Sequence, residues 1–352
     1  MTRNIANRLG YSIKTAGKDG GIFNLLTQFV LNKQEIWNDF HVSVPATYSP
    51  QTYVENNYEH VVFTGSSDFT VTGNTGGTIE YMIVGGGGCG GYSGSPSYQS
   101  TGGGGAGGVV FGSIRVNPGV YTVTIGAGSV ASPSDSKKGE PSSLSFGNEY
   151  SIVAQGGGRG GAQYPLNNQP PSINARASPG GSGGGGSGRD STSYSRSSGS
   201  GTNQQGYPGT PGSSSTDPDA SGGGGGGAGE SGGGAYGGTY INALGGDGLA
   251  YQFSSTAIPS AFGTPGPTPG RWFGGGGAGG GKTGFSGGAG GGGTGKGYYS
   301  SLGTPNVNAS TDGSANTGGG GGGTAYDRND GPHFSNAKNG GSGIIIIRYY
   351  KQ

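Results

Sequence analysis

The chain has 352 residues, of which 90 are glycine, with a net charge of +1 and only 11% charged residues. That balance supplies no basic field for nucleic acid and no acidic one for cations, and 29% hydrophobic residues exclude one large apolar core. So much glycine alone would suggest a flexible linker, but 20 Tyr, 12 Phe and 2 Trp are more aromatic side chains than disordered segments carry.

A single cysteine, Cys89, excludes an intrachain disulfide framework and any multi-cysteine metal site. Set among glycines, it reads as a small packed side chain. Met1-Thr2-Arg3-Asn4 is not followed by an apolar run, so no signal peptide is expected. No apolar stretch approaches the ~20 residues of a transmembrane helix, so no membrane insertion is expected.

Residues 1–45 differ from the rest of the chain, being poor in Gly and rich in Asn, Gln and apolar residues. Ile22, Leu25, Leu26, Phe29 and Val30 recur at helical spacing, with Asn24 as a candidate N-cap, which predicts a short amphipathic helix over 22–34. Trp37 and Phe40 extend its apolar surface. One helix in 45 residues is too little to fold alone, so this segment is expected to dock on another copy or another protein, or to pack back on the remainder of the chain.

From Glu59 the period becomes two. Strands are predicted at His60–Thr64, Phe69–Thr72, Thr78–Val84, Val109–Val116, Val120–Ile125, Ser142–Phe146 and Tyr150–Ala154. Asn117-Pro118-Gly119 marks a turn. Short strands at this spacing suggest a sandwich. The last strand, Ile344–Tyr350, is apolar on both faces and is therefore expected at the centre of a sheet.

Between 155 and 343 the period is neither two nor 3.6. Glycine runs such as Gly183–Gly186, Gly222–Gly227, Gly274–Gly281, Gly287–Gly293 and Gly318–Gly323 join two earlier ones, Gly85–Gly91 and Gly102–Gly108. Isolated polyglycine is a coil, because glycine loses the most entropy on ordering. Side by side, extended left-handed helices of three residues per turn can exchange backbone hydrogen bonds, since no Cβ holds them apart. A seven-residue run would span roughly 20 Å. The expected fold class is all-β. A small antiparallel β-sandwich (46–158 plus 343–352) is closed by the C-terminal strand, a polyglycine II bundle (159–342) is inserted, and a helical segment (1–45) precedes them. The Val84-to-Gly85 and Gly343-to-Ile344 junctions are expected to lie side by side.

Motifs for chemistry are weak. Gly276 to Thr283 satisfies the phosphate-loop pattern, but Gly284-Phe285-Ser286-Gly287 after it cannot start the helix such a loop requires. His41, His60 and His333 have no partners at ligand spacing, and Asp327–Gly331 lacks the bidentate Glu of a calcium loop. Asn308-Ala309-Ser310 is a glycosylation sequon, which matters only on secretion. No catalytic residues, metal or cofactor are expected. What remains is Tyr164, Tyr194, Tyr207, Phe262, Trp272, Tyr298 and Tyr299, beside or between glycine runs among Ser, Gly and Asn. That is the palette of antibody loops, suited to sugar or protein surfaces. The same rings could instead cap the ends of the bundle.

Tyr81–Gly91, Gly102–Val110, Pro118–Gly128, Ile152–Gly158 and the closing Gly343–Tyr349 together resemble the glycine-rich domain of phage and marine viral structural proteins. Residues 155–343 are similar in kind to the receptor-binding tips of T-even-like phage long tail fibres, where connecting loops on polyglycine helices bind the host surface. Residues 10–40, with Gly20-Gly21-Ile22-Phe23 ahead of a segment ending at Trp37, resemble phage attachment segments. The resemblance implies a virion tail-fibre or adhesin component. Ile22, Phe23, Leu26, Phe29 and Trp37 would anchor it to other virion proteins. The seven aromatic residues would meet a host polysaccharide or outer-membrane protein, and the chain would be a monomer or a homotrimer. A capsid-surface decoration protein and an ice-binding protein are the alternatives.

Overall fold

The computed structural model describes residues 40–45, 51–73, 76–92, 100–132, 137–147, 149–162, 176–188, 197–213, 221–233, 243–253, 258–281, 283–297, 309–325 and 337–351. The helix expected over 22–34 lies outside them, and the described residues contain no helix. They form β1 (His41–Ser43), β2 (Gln51–Glu55), β3 (Tyr58–Phe63), β4 (Ser67–Thr72), β5 (Gly77–Val84), β6 (Val109–Val116), β7 (Gly119–Thr124), β8 (Ser142–Phe146), β9 (Tyr150–Ala154), β10 (Leu249–Ala250), β11 (Trp272–Phe273) and β12 (Ile344–Tyr350).

Two five-stranded antiparallel sheets result, ordered β1-β4-β7-β8-β9 and β2-β3-β12-β5-β6. Their facing sides share one core of Val61, Phe63, Phe69, Val71, Ile79, Ile83, Val123, Leu144, Ile345 and Ile347, among others. The strand pattern puts alternate residues on this side, and a buried Ile or Val contributes about 1.5–3 kcal/mol. β12 sits between β3 and β5, as its two apolar faces predict. Ile345 and Ile347 face the shared core. Ile344 and Ile346 face a second cluster that Tyr251, Ile258, Phe262 and Phe273 cover from outside.

Local sequence explains the turns. β2 and β3 meet at Asn56 and Asn57, with φ of 48° and 65°, a two-residue hairpin turn that favours Asn. Tyr121 ties the Asn117 turn, its hydroxyl donating to Asn117 O at 2.7 Å and accepting from Asn117 N at 3.1 Å. Its ring also stacks on Phe69 at 5.2 Å, so Tyr121→Phe keeps the packing and loses only the tether. The expected loss is about 1 kcal/mol in urea unfolding; an unchanged midpoint would mean that proline and glycine suffice to hold the turn.

The glycine runs carry on where the strands stop. Run 85–91 follows β5, run 101–108 leads into β6, run 155–161 follows β9 and run 337–343 leads into β12. Ile344 pairs with Val84 across the sheet, so the two strand-to-glycine junctions are neighbours. Beyond the junctions the pairing changes. The N–H groups of Gly85, Gly88 and Gly91 donate to Gly108, Gly105 and Gly102, a step of three on both runs.

Run 101–108 shows the full pattern. Every third N–H goes to the same neighbour: Thr101, Gly104 and Gly107 to Thr324, Gly321 and Gly318; Gly102, Gly105 and Gly108 to Gly161, Gly158 and Gln155; Gly103 and Ala106 to Gly223 and Gly226. Its carbonyls accept from three further runs, through Gly85, Gly88 and Gly91, through Ser182 and Gly185, and through Gly277 and Gly280. Run 101–108 therefore has six hydrogen-bonded neighbours: 85–91, 155–161, 178–188, 221–228, 274–281 and 318–325. Successive neighbours are themselves bonded, by Gly157 to Gly86, Gly158 to Ser182, Gly223 to Gly186, Gly222 to Gly280, Gly320 to Gly275 and Gly321 to Gly88. The ring closes, and the runs form a hexagonal lattice held by the backbone. Sheets cannot do this, because a strand has neighbours on two sides only.

The lattice explains the demand for glycine at close approach. A Cβ added to Gly103, Gly104 or Gly107 would stand 2.0, 2.1 or 1.9 Å from the carbonyl oxygen of Gly277, Gly88 or Gly85. The lattice includes 85–91 and 101–108, which lie within the sequence of the sandwich, as well as runs after 155.

Candidate functional site

Chain direction gives the lattice two ends. Gly85, Gly108 and Gln155 are bonded together next to the sheets, and Gly91, Gly102 and Gly161 are bonded together at the far end. Thr101 seals that far end, its Oγ1 donating to Gly91 O at 2.8 Å and accepting from Thr324 N at 2.7 Å. Bridges from Ser100 to Gly188 and to Ala325 tie the ends of runs 178–188 and 318–325 to it there. The described far end is thus made of Tyr92, Ser100, Ala162, Gly188, Ser221 and Ala325, each the first or last described residue of its run.

A cavity of about 400 Å³ opens at this end, lined by Tyr92, Ala131, Asp312, Ala337, Lys338 and Asn339 among others. Its wall is braced by Asn339, whose Oδ1 accepts from Ala131 N at 2.8 Å and whose N donates to Asp312 Oδ1 at 2.9 Å. A ring, a carboxylate, an ammonium and an amide in one concavity give apolar contact with polar groups to orient a ligand.

Of the aromatic residues singled out from sequence, the three described ones are not gathered in one place. Tyr207 is 49% exposed on the flank of the lattice, near the sheets, where its N donates to Gly227 O. Phe262 is 5% exposed and packs in the cluster under β12, so its apolar surface covers the protein's own sheet. Trp272 is half-buried in β11, its ring against Gly266 and its Nε1 donating to Thr268 O at 3.1 Å. Tyr164, Tyr194, Tyr298 and Tyr299 lie outside the described residues, as do Ile22, Phe23, Leu26, Phe29 and Trp37. The calcium-like stretch 327–331 and the sequon's Asn308 also lie outside them.

The structure adds a half-buried polar row around the buried His60 that sequence reasoning passed over. Across the sheet Tyr53 pairs with His60, His60 with Arg348, and Arg348 with Glu80. Tyr53 stacks on the His60 ring at 4.5 Å. His60 Nδ1 lies 3.1 Å from the Tyr251 hydroxyl, a hydrogen bond whose direction depends on the ring's tautomer. Arg348 Nε donates to Glu80 Oε2 at 2.6 Å, and its guanidinium lies over the Tyr58 and Phe253 rings. Burial, then the Arg348 charge, hold the His60 pKa down at about 4. Burial first, then a nearby charge or phenol, push the Tyr53 and Tyr251 phenols up. The row is therefore a neutral imidazole beside an ion pair, sealed by the 249–253 segment. The register of His60, Glu80 and Arg348 on alternating strands was a usable signal once β12 was placed centrally.

Cys89 is buried, with Sγ 3.5 Å from Lys137 O. Among the described residues no cluster of His, Cys, Asp or Glu could hold a metal, and no helix is long and apolar enough to cross a membrane. No curated protein matches the sequence. A family described as a glycine-rich domain matches residues 63–350, from the end of β3 through β12, and so takes in most of both sheets and the lattice. The chain belongs to that glycine-rich domain family.

Proposed function

We propose that the chain is a virion structural protein, a phage tail-fibre or adhesin component. In this reading its glycine runs are polyglycine II helices packed as a stiff rod-like bundle, and their far ends meet the host surface. The observation that carries it is the common far end. The described residues flanking the breaks after Tyr92, Ala162, Gly188, Ser213, Gly233, Gly297 and Ala325 belong to runs that reach that end. A scaffold held by backbone bonds leaves its connecting sequences free to vary, which is what a recognition surface needs. The motif resemblance supports the virion, and residues 1–45, with Ile22, Phe23, Leu26, Phe29 and Trp37, would dock on other virion proteins. The reading includes no catalysis, no nucleic acid and no membrane insertion.

The test is to locate the protein on particles by labelled-antibody electron microscopy. The tail tip or fibre is the expected position, and a version lacking 1–39, which keeps Phe40 and β1 in the sandwich, should fold but be missing from particles. Labelling over the capsid would replace the fibre with a decoration role, and absence from particles would remove both.

A further inference from the structure

On the flank of the lattice, the 201–207 turn, Ala228–Gly229 and Leu249 enclose a groove of about 650 Å³. Asn203, Gln204 and Tyr207 stand exposed along it, Ala228 and Leu249 supply apolar surface, and no charged side chain lines it. We propose that this groove binds an uncharged saccharide, with Tyr207 as the stacking platform and Asn203 and Gln204 as the hydroxyl-reading groups. This site lies on the flank near the sheets, apart from the far ends proposed to meet the host surface, and so goes beyond that reading.

The chemistry suits a sugar. A pyranose has a rim of hydroxyls, each a donor and an acceptor, and a face of C–H groups. A side-chain amide offers both a carbonyl and an NH₂, so it can meet two neighbouring hydroxyls at once. A tyrosine ring offers a large, rigid contact at low entropic cost. With no charge in the groove, nothing there would repay an anionic or cationic ligand for losing its water. The volume lies within the range of small-molecule sites.

The groove is also built to stay in shape. Gln205 turns inward, its Oε1 accepting from Gln155 N at 2.8 Å and its Nε2 donating to Val153 O at 3.0 Å, which ties the turn to the end of β9. Gln205 N and Gly206 N both donate to Thr202 O, and Thr202 Oγ1 donates to Gly180 O at 2.8 Å. Gln204, between these anchors, is at φ 61°, a left-handed conformation uncommon for a non-glycine residue. An exposed amide kept in a strained backbone between fixed neighbours is pre-organised for contact.

The experiment uses the full chain. Maltohexaose, cellohexaose, mannohexaose and chitohexaose are titrated by saturation-transfer NMR, with hexagalacturonate as the charged contrast. At least one neutral hexamer should bind with a Kd of about 1 mM or tighter. Tyr207→Ala should weaken it roughly tenfold and Asn203→Ala roughly threefold, while Tyr150→Ala, an exposed tyrosine on β9, should leave it unchanged. The Tyr207 backbone bonds to Gly227 and Gly183 survive the substitution, and an unchanged unfolding midpoint checks that the fold does too. No neutral binding, equal binding by Tyr207→Ala, or binding of hexagalacturonate alone overturns the proposal. Absence from particles would end the virion reading and leave sugar binding standing; absence of sugar binding would leave the protein's position on particles untouched.

Discussion

Gly104→Ala should cost more than about 4 kcal/mol and lower the thermal midpoint by roughly 10 °C or leave the chain insoluble, although it adds one methyl group. Gly104 lies in the run that has neighbours on all six sides, and an added Cβ would stand 2.1 Å from Gly88 O, 2.7 Å from Gly88 C and 2.8 Å from Cys89 C. All three are backbone atoms that no rotamer change can move. Relief requires run 85–91 or run 101–108 to shift by about 1 Å, which breaks bonds worth ~1 kcal/mol net each, several at once. Gly65→Ala is the matched control, because nothing lies within 4 Å of its added Cβ. That variant should stay within about 0.5 kcal/mol of the parent. Similar small losses in both variants would show that backbone contact between runs does not hold the fold.

Acidification should destabilise the protein by about 3 kcal/mol between pH 6.5 and pH 4, through His60. The sign is set by its position. The folded-state pKa is held at about 4, below the 6.5 of an unfolded histidine, by burial first and the Arg348 charge second. The unfolded chain therefore takes up a proton at a pH where the folded chain does not. The stabilisation is complete above pH 6.5 and is lost as the pH falls towards 4, at about 1.36 kcal/mol per unit. Glu55 and Glu80 act the other way and are weaker than the burial and Arg348 effects. Urea midpoints of the parent and of His60→Gln across pH 4–7 measure it. The difference between the two should shrink or reverse on acidification, and parallel curves would remove His60 from the account. Local opening should begin at Tyr251, which shares a hydrogen bond with His60.

Much of the sandwich was legible because side chains specify it. Val120–Ile125 alternates cleanly and becomes β7, and the isoleucines of β12 announce burial on both faces. β2 was missed because Gln51–Glu55 lies at a sheet edge with little apolar pattern, and only Asn56-Asn57 marks its hairpin. The 249–273 stretch reads as display loop by composition. Its rings instead cover Ile344 and Ile346, a need that the doubly apolar β12 already implied. The order of the lattice was not legible at all. One glycine run offers a neighbour the same surface as any other, so partners are chosen by where each run joins a strand and by its length. The groove at Tyr207 depends on that order, since it brings 201–207 against 228–229 and 249.

The placement of β12 also sets a timetable. It comes after every other described strand in the chain, yet it stands between β3 and β5. During synthesis β3 and β5 emerge early and must wait, at ribosomal speed on the order of half a minute, for the strand that separates and covers them. Until then each offers an open edge with apolar side chains, the condition that invites pairing with another chain. A chain broken off before Ile344 should therefore keep both edges open and associate with others rather than fold. Full translation is the licence to fold.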